Sequence, residues 1–304
     1  MSHAIIIPIY CENRNTINLC NELQNFGAEH IVVVNDGLNP KSEYFNELTS
    51  IGCHLVHLKN NNGKGASLKA GIKYAHDNLY NITGFITCDA DGQHTANDVM
   101  KISRMLDLRN GSLILGKRDY KKSKMPINIR IGNRLSSAYF KVITGKSCSD
   151  TQTGLRGIPA FLYDTVMKTK GSRFDFEMNF LTKCADMRVP FYFVNIIADC
   201  SNCSSNFRLI KDTYLIYRTP LRFATASIGC TIIDLVLFTI FAYILPSHMF
   251  FNIMLATLMA RVVSGGINFL INRKVIFGNT DNGAKQALRF FILFFCIMCA
   301  SSLI

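Results

Sequence analysis

No tryptophan occurs among the 304 residues, so no motif that depends on an indole can be present. Acid is in deficit: 21 Asp and Glu face 33 Lys and Arg, a formal charge of +12. Such a balance suits a protein that handles anions or lies against an acidic membrane face. Nucleic acid would satisfy the same charge. The chain, however, lacks a basic stripe interleaved with aromatics and any zinc-finger or RNA-recognition signature, so no nucleic-acid partner is expected. A zinc site is excluded in a similar way. The 11 cysteines are an odd number scattered singly through apolar segments, and the polar pair Cys200 and Cys203 has no second pair or His cluster beside it. Reduced thiols of a cytoplasmic domain are the expectation. The opening MSHAIIIPIY enters a strand-like run at once and lacks the charged start and cleavage site of a signal peptide. Nor is there an internal repeat or low-complexity tract.

What the chain has in excess is apolar sequence, 49% of residues with a mean hydropathy of +0.17, unevenly spread. Up to about residue 219 short apolar runs alternate with helical patterns, which predicts a mostly parallel, Rossmann-like sheet covered by helices. Strands are expected at 4–9, 31–34, 53–57, 84–88, 112–115 and 190–197, and helices at 13–26, 64–76, 129–142 and 176–185. From residue 223 the pattern becomes that of an all-α membrane domain. Residues 223–245 make a helix of roughly 34 Å, enough for a hydrocarbon core of about 30 Å. A tight turn at 246–248 leads to a second span at 250–271, and a third begins at 287–304. The expected domains are therefore 1–205, an interfacial segment 206–222 that mixes basic and apolar residues, and 223–304. Arg218, Arg222, Arg273, Lys274, Lys285 and Arg289 flank these spans, whereas the first connection carries no Lys or Arg. The positive-inside rule then puts the N-terminal domain in the cytoplasm, on a multi-pass protein of the cell membrane. Two charges fall inside the spans, Asp234 and Arg261, each costing roughly 2.5–3.5 kcal/mol at mid-bilayer. Antiparallel neighbours could pair them, as a clamp or as a path for a polar headgroup.

The stretch GFITCDADGQH, 84–94, carries the sharpest chemistry. Residues i and i+2 of an extended segment project to one side, so Asp89 and Asp91 can point together. They follow a strand, and the ligand crevice of an open α/β sheet lies outside the carboxyl ends of its strands. With the amide oxygen of Gln93 they make a hard-oxygen set suited to Mg²⁺ or Mn²⁺. Taken alone, the same stretch also reads as a solvated turn. Further along, NNGK at 61–64 is not a Walker A loop, yet glycine-rich backbone opening a helix can face an anion.

Six more motifs stand in order around this one: IPIYCE at 7–12, VVVNDG at 32–37, LGKRDY at 115–120, IRIGNRLSS at 129–137, SDTQTGLRG at 149–157 and FDFEMNFL at 174–181. The series resembles family 2 glycosyltransferases of the polyprenyl-phosphate group, that of dolichol-phosphate mannose synthase and bactoprenol glucosyltransferase. The resemblance spans about residues 4–215, and GINFLINRKVIF at 266–277 is similar to the small GtrA-like membrane domain often fused to such enzymes. It implies a GT-A fold and inverting transfer of a hexose, glucose or mannose, from a UDP or GDP sugar to polyprenyl phosphate. By the same resemblance Pro8, Tyr10, Glu12, Asp36, Lys64, Asp89, Ala90 and Asp91 bind the nucleotide sugar, and Asp89, Asp91 and Gln93 hold Mg²⁺ or Mn²⁺. Arg118 and Arg130 match arginines that bind phosphates, and Asp150 and Gln152 lie on the acceptor and sugar side. Glu177 would bond a sugar hydroxyl or cap local structure. Lys117, Lys121, Lys122, Lys124 and Arg134 form a solvated face or meet anionic lipid. Asn35 and Leu38 depart from the family's D-D-G-S. A processive polysaccharide synthase would need a Q-x-x-R-W motif, which a chain without tryptophan cannot supply. A transferase with another acceptor, or a non-catalytic lipid-sugar translocase or sensor, is the alternative. The related membrane domains have four spans and this sequence stops within the third, as expected of a truncated reading frame, a fragment or a domain completed by a homo-oligomer.

Overall fold

A computed structural model describes residues 2–119, 127–198, 209–245 and 250–271. The chain divides into two compact units at Leu215 and Ile216.

In the first unit, seven strands form one sheet in the order β3-β2-β1-β4-β6-β5-β7. They are β1 (Ser2–Ile9), β2 (His30–Asp36), β3 (His54–Leu58), β4 (Ile82–Thr87), β5 (Leu113–Arg118), β6 (Arg156–Pro159) and β7 (Phe191–Ile196). The near-continuous apolar runs of β1 and β2 are what a parallel sheet covered on both faces requires. Because side chains alternate along a strand, Ile5, Ile7, Ile31 and Val33 enter one core, and Ala4, Ile6, Val32 and Val34 enter the other.

The helices are α1 (Arg14–Asn25), α2 (Glu43–Ser50), α3 (Lys64–Asn78), α4 (Ala96–Leu108), α5 (Ile127–Thr144), α6 (Tyr163–Lys168) and α7 (Asp175–Asp186). Three elements that the sequence pattern does not predict matter to the sheet. Helix α2 is capped by Ser42, whose side chain accepts from Tyr44 N, and α4 by Thr95, which accepts from Asp98 N. Strand β6 runs antiparallel to both β4 and β5. Its four residues RGIP carry a charge, a glycine and a proline, and so hide a strand from any pattern based on apolar content. The short helix α6 is likewise not predicted by periodicity.

Strand β1 lies where the sheet reverses direction in chain order, between β2 and β4. Its pairing with β4 ends at Ile6↔Thr87 and a bond from Cys88 N to Ile6 O, while its pairing with β2 continues to Ile9↔Asn35. The next rung toward β4 would need an N–H from residue 8, and residue 8 is proline, which has none. The strands therefore part at Pro8, and the crevice of an open sheet begins there.

The second unit contains α9 (Phe250–Ile271) and most of α8 (Leu209–Ile244). Thr225–Ile244 and Asn252–Ile271 are each long and apolar enough to cross a membrane. Ala256, Ala260 and Ser264, four residues apart, are buried, the small-residue spacing that lets membrane helices approach closely. Asp234 Oδ1 accepts a 2.7 Å hydrogen bond from Ser264 Oγ, which gives the carboxyl group of the first span a partner on the second. The expected turn at 246–248, the third span at 287–304, residues 206–208 and Lys121, Lys122 and Lys124 lie outside the described residues.

Candidate active site

The loop after β4 is set by α1. Thr16 Oγ1 donates to Ala90 O at 3.0 Å, and Asn15 Nδ2 donates to Asp91 O at 3.3 Å. With the backbone of 90 and 91 held, Asp89 and Asp91 both lie half-buried beyond the end of β4. Asp89 Oδ1 lies 2.6 Å from Lys64 Nζ, and Oδ2 accepts from Gln93 Nε2 at 2.7 Å. Gly154 makes the room: a Cβ there would stand 2.0 Å from Asp89 Oδ2, and the Gly154 carbonyl is fixed by Thr87 Oγ1 at 2.8 Å. Gly154→Ala is accordingly expected to displace Asp89 and cut turnover at least ~100-fold, read as kcat on purified protein. A variant with unchanged kcat would show that the carboxylate can yield without loss.

Lys64 reaches a second carboxylate, with Nζ 3.2 Å from Glu177 Oε1. Glu177 Oε1 in turn faces Arg156 Nη2 at 3.9 Å. Charges thus alternate through a largely buried row, Asp89, Lys64, Glu177, Arg156. Burial works against the Lys64 charge, but Asp89 and Glu177 outweigh it and raise its pKa. Burial likewise opposes the charge of Asp89, and Lys64 prevails, lowering its pKa. Among the described residues Asp91 has no such partner. Burial and the negative charge of Asp89 push its pKa up.

The neighbouring motifs are wired to this row. Asp36, at the end of β2, accepts from Asn62 N at 2.8 Å and Gly63 N at 2.9 Å, so it holds the loop that opens α3 and fixes the backbone beside Lys64. Gly37, at φ +90°, passes so near this loop that a Cβ would meet Asn61 N at 2.5 Å. Asn35 closes its own turn, accepting from Leu38 N at 2.7 Å and donating to Leu38 O at 2.9 Å. Arg156 donates to the carbonyls of Thr153, Glu177 and Thr151 at 2.9, 3.0 and 3.1 Å. Thr151 is tied to α5 through Ser136 Oγ, 2.7 Å from Thr151 Oγ1, and through Asn133 Oδ1, which accepts from Thr151 N at 3.2 Å.

Arg118 and Asp150 form a buried fork: Nε–Oδ2 is 2.7 Å and Nη2–Oδ1 is 2.8 Å. Gln152 is exposed, and a Cβ on Gly132 of α5 would lie 3.7 Å from its Nε2. Arg130 is exposed on the first turn of α5. Pro8 is buried in β1, Tyr10 is half-buried at its end and Glu12 is exposed beyond it. Direct contacts therefore join Lys64, Asp89, Gln93 and Asp91 into one connected set, Asp36 grips the loop beside it through Asn62 N and Gly63 N, and the Arg118–Asp150 fork stands as a second set. Asn15, Thr16, Gly154 and Arg156 belong to the site without having been singled out by the sequence. Asn15 and Thr16 sit in the first turn of α1, and Gly154 and Arg156 lie within SDTQTGLRG, so position near a motif is the signal that could have found them.

Among the described residues no three His, Cys, Asp or Glu converge as a metal cage. The pair nevertheless fits a hard dication. One Asp91 oxygen accepts from Gln93 N at 3.1 Å, which leaves the second oxygen of that carboxylate to a ligand. His94 is buried beside Asp89, with no hydrogen-bond partner for either ring nitrogen among the described residues and its Nε2 3.8 Å from Asp89 Oδ2. A carboxylate kept electrostatically unfavourable by its neighbour gains from a cation. Mg²⁺-type sites commonly use one or two carboxylates and fill their remaining positions with water and substrate phosphate.

The mixed seven-stranded sheet, with a carboxylate pair at its switch point, is of GT-A type. The chain belongs to glycosyl transferase family 2, whose pattern its residues 4–164 match. Residues 222–304 match the GtrA/DPMS transmembrane domain. It is 32% identical over 188 residues to an uncharacterised protein of Methanocaldococcus jannaschii, covering 58% of this chain and 73% of that one. To the UDP-N-acetylglucosamine–dolichyl-phosphate N-acetylglucosaminyltransferase of Methanococcus voltae it is 29% identical over 172 residues, 50% of this chain and 67% of the relative. The glucosyl-3-phosphoglycerate synthase of Mycobacterium tuberculosis, solved with Mn²⁺, UDP and phosphoglyceric acid, shares the fold at a TM-score of 0.54. It is 11% identical and the match covers 73% of this chain and 76% of that one.

Proposed function

We propose that this protein transfers a hexosyl group, with inversion, from a nucleoside-diphosphate sugar to polyprenyl phosphate at the membrane, from the cytoplasmic side. The observation that carries the reading is the Asp89–Asp91 pair at the β1/β4 switch point of a family 2 domain. The membrane-domain match and the dolichyl-phosphate relative support the lipid acceptor, and the UDP and Mn²⁺ in the structural relative support the donor class and the cation.

Asp89, Asp91 and the amide oxygen of Gln93 would hold the divalent cation, which supplies Lewis-acid neutralisation of charge on the departing diphosphate. The lipid phosphate attacks the anomeric carbon, the bond from that carbon to the donor's diphosphate oxygen breaks, and the nucleoside diphosphate leaves. No general base is needed, because a phosphate monoester with a second pKa near ~6 is already largely dianionic at neutral pH. The task of the chain's own residues is to position and to balance charge. Lys64 brings a cation to the carboxylates, Asp36 sets the loop that carries it, and Arg156 fixes the motif containing Asp150 and Gln152. Arg130 offers its guanidinium to phosphate from α5.

Helix α5 supports an acceptor held in lipid. Ile127, Ile131, Leu135 and Val142 are 73%, 52%, 61% and 84% exposed, and Arg130, Arg134 and Lys141 are exposed beside them. An apolar stripe flanked by basic side chains is the pattern of an interfacial helix. Replacing Ile131 and Leu135 by Asp is expected to lower transfer to long-chain polyprenyl phosphate in vesicles about tenfold. Transfer to a short, water-soluble isoprenyl phosphate should stay unchanged, and equal losses on both acceptors would remove the lipid argument.

The activity itself is tested with purified protein, undecaprenyl phosphate and a panel of labelled UDP-glucose, UDP-N-acetylglucosamine and GDP-mannose. Transfer of label into the lipid phase from one of them is the expected result. No lipid-linked label from any donor, with binding of nucleotide intact, would sink the reading in favour of a sensor.

A further inference from the structure

Asp89 has both oxygens occupied by this chain's own donors. Lys64 Nζ takes Oδ1 at 2.6 Å, and Gln93 Nε2 takes Oδ2 at 2.7 Å. An ammonium and a divalent cation cannot share the near side of one buried carboxylate oxygen, because like charges repel strongly at that range in a poorly solvated site. Lys64 has somewhere else to go. Glu177 Oε1 is already 3.2 Å from Nζ and has no regular hydrogen bond among the described residues. The backbone on which Lys64 stands is clamped by Asp36 through Asn62 N and Gly63 N, so exchange involves the side chain alone.

From this we infer that Lys64 is the resident counter-ion of Asp89 and changes partner when the donor loads. With no donor present it neutralises Asp89, whose other partner, the Gln93 amide, carries no charge. On loading, Lys64 yields Asp89 to the divalent cation, keeps Glu177 and turns its charge toward the diphosphate. The inference rests on the proposed glycosyl transfer for the identity of the anion. Its core claim is that Lys64 and the cation compete for one carboxylate.

The competition is measured as Mn²⁺ affinity of the full-length, detergent-purified protein without nucleotide, by calorimetry or electron paramagnetic resonance. Lys64→Met is expected to bind Mn²⁺ at least tenfold more tightly than the wild type, and UDP at least tenfold more weakly in the presence of Mn²⁺. Glu177→Gln is expected to move the other way, weakening nucleotide-free Mn²⁺ binding several-fold, because Lys64 then has only Asp89 to hold. Unchanged or weaker Mn²⁺ binding in Lys64→Met overturns the inference. If that variant does not fold, Glu177→Gln decides: weaker binding supports the exchange, and unchanged or tighter binding overturns it. Hexosyl transfer by the wild type is assayed in parallel. A protein that binds Mn²⁺ with these variant effects and transfers nothing would sink the proposed activity while leaving the competition established.

Discussion

Asp91→Asn should abolish measurable transfer, lowering kcat by about 10³-fold or more, the scale at which a site loses a preorganised charge-stabilising group. The same change should leave thermal stability equal to or above that of the wild type. The sign follows from the environment of Asp91, whose pKa is raised by burial and by Asp89. A carboxylate whose folded-state pKa lies above its unfolded value is destabilising when charged, so at neutral pH its neutralisation removes a repulsion. Loss of activity without loss of melting temperature separates a site residue from a scaffold residue. Chelation of the wild type with EDTA should reproduce the kinetic defect. Full activity in either case would mean that Asp91 does not serve a metal.

The second large effect is expected at Asp150, and there it falls on stability. Asp150 is 0% exposed and Arg118 is 5% exposed. Removing one partner from a buried ion pair leaves an uncompensated charge and costs about 3–5 kcal/mol. Asp150→Ala should therefore lower the melting temperature of the transferase unit by on the order of 10 °C. The double change Arg118→Met with Asp150→Leu should recover most of that loss, since a well-packed apolar pair of similar volume often replaces a buried ion pair without penalty. If Arg118 also meets phosphate, as the motif it belongs to implies, stability will return and activity will not. Recovery of both would make the pair a scaffold alone.

The contrast between these two aspartates marks how far the sequence can be read. Both stand in recognisable motifs, and the motif order leads to family 2, which the match over residues 4–164 establishes. The parallel strands β1, β2 and β4 are legible because short β-branched apolar runs bounded by polar residues are too brief for a buried helix and too apolar for a loop. The antiparallel strand β6 is not, since its identity lies in distant partners, Gly84↔Pro159 to Thr87↔Arg156, and not in its composition. Helices α2 and α4 carry readable caps at Ser42 and Thr95 and could have been placed from them. The site follows the same division. That Asp89 and Asp91 project together is what a period of two predicts, although the strand ends at Thr87 and residues 90 and 91 bend. That Asp89 is met by Lys64, that Glu177 stands on the far side of that lysine and that Asp36 grips a loop 26 residues on are long-range facts, which no local pattern encodes.

Pro8 has a consequence for anyone who would stabilise this protein. By strand propensity a valine there is the better residue, and a protocol that scored strand stability alone would favour it. The restored N–H could reach the carbonyl of Cys88 and zip the two central strands one rung further, toward Asp89. The product would be a sturdier sheet with a narrower mouth, firmer by every melting curve and poorer at admitting a sugar nucleotide. Thermal shift alone would score that as a success, so any screen on this fold has to measure turnover beside it.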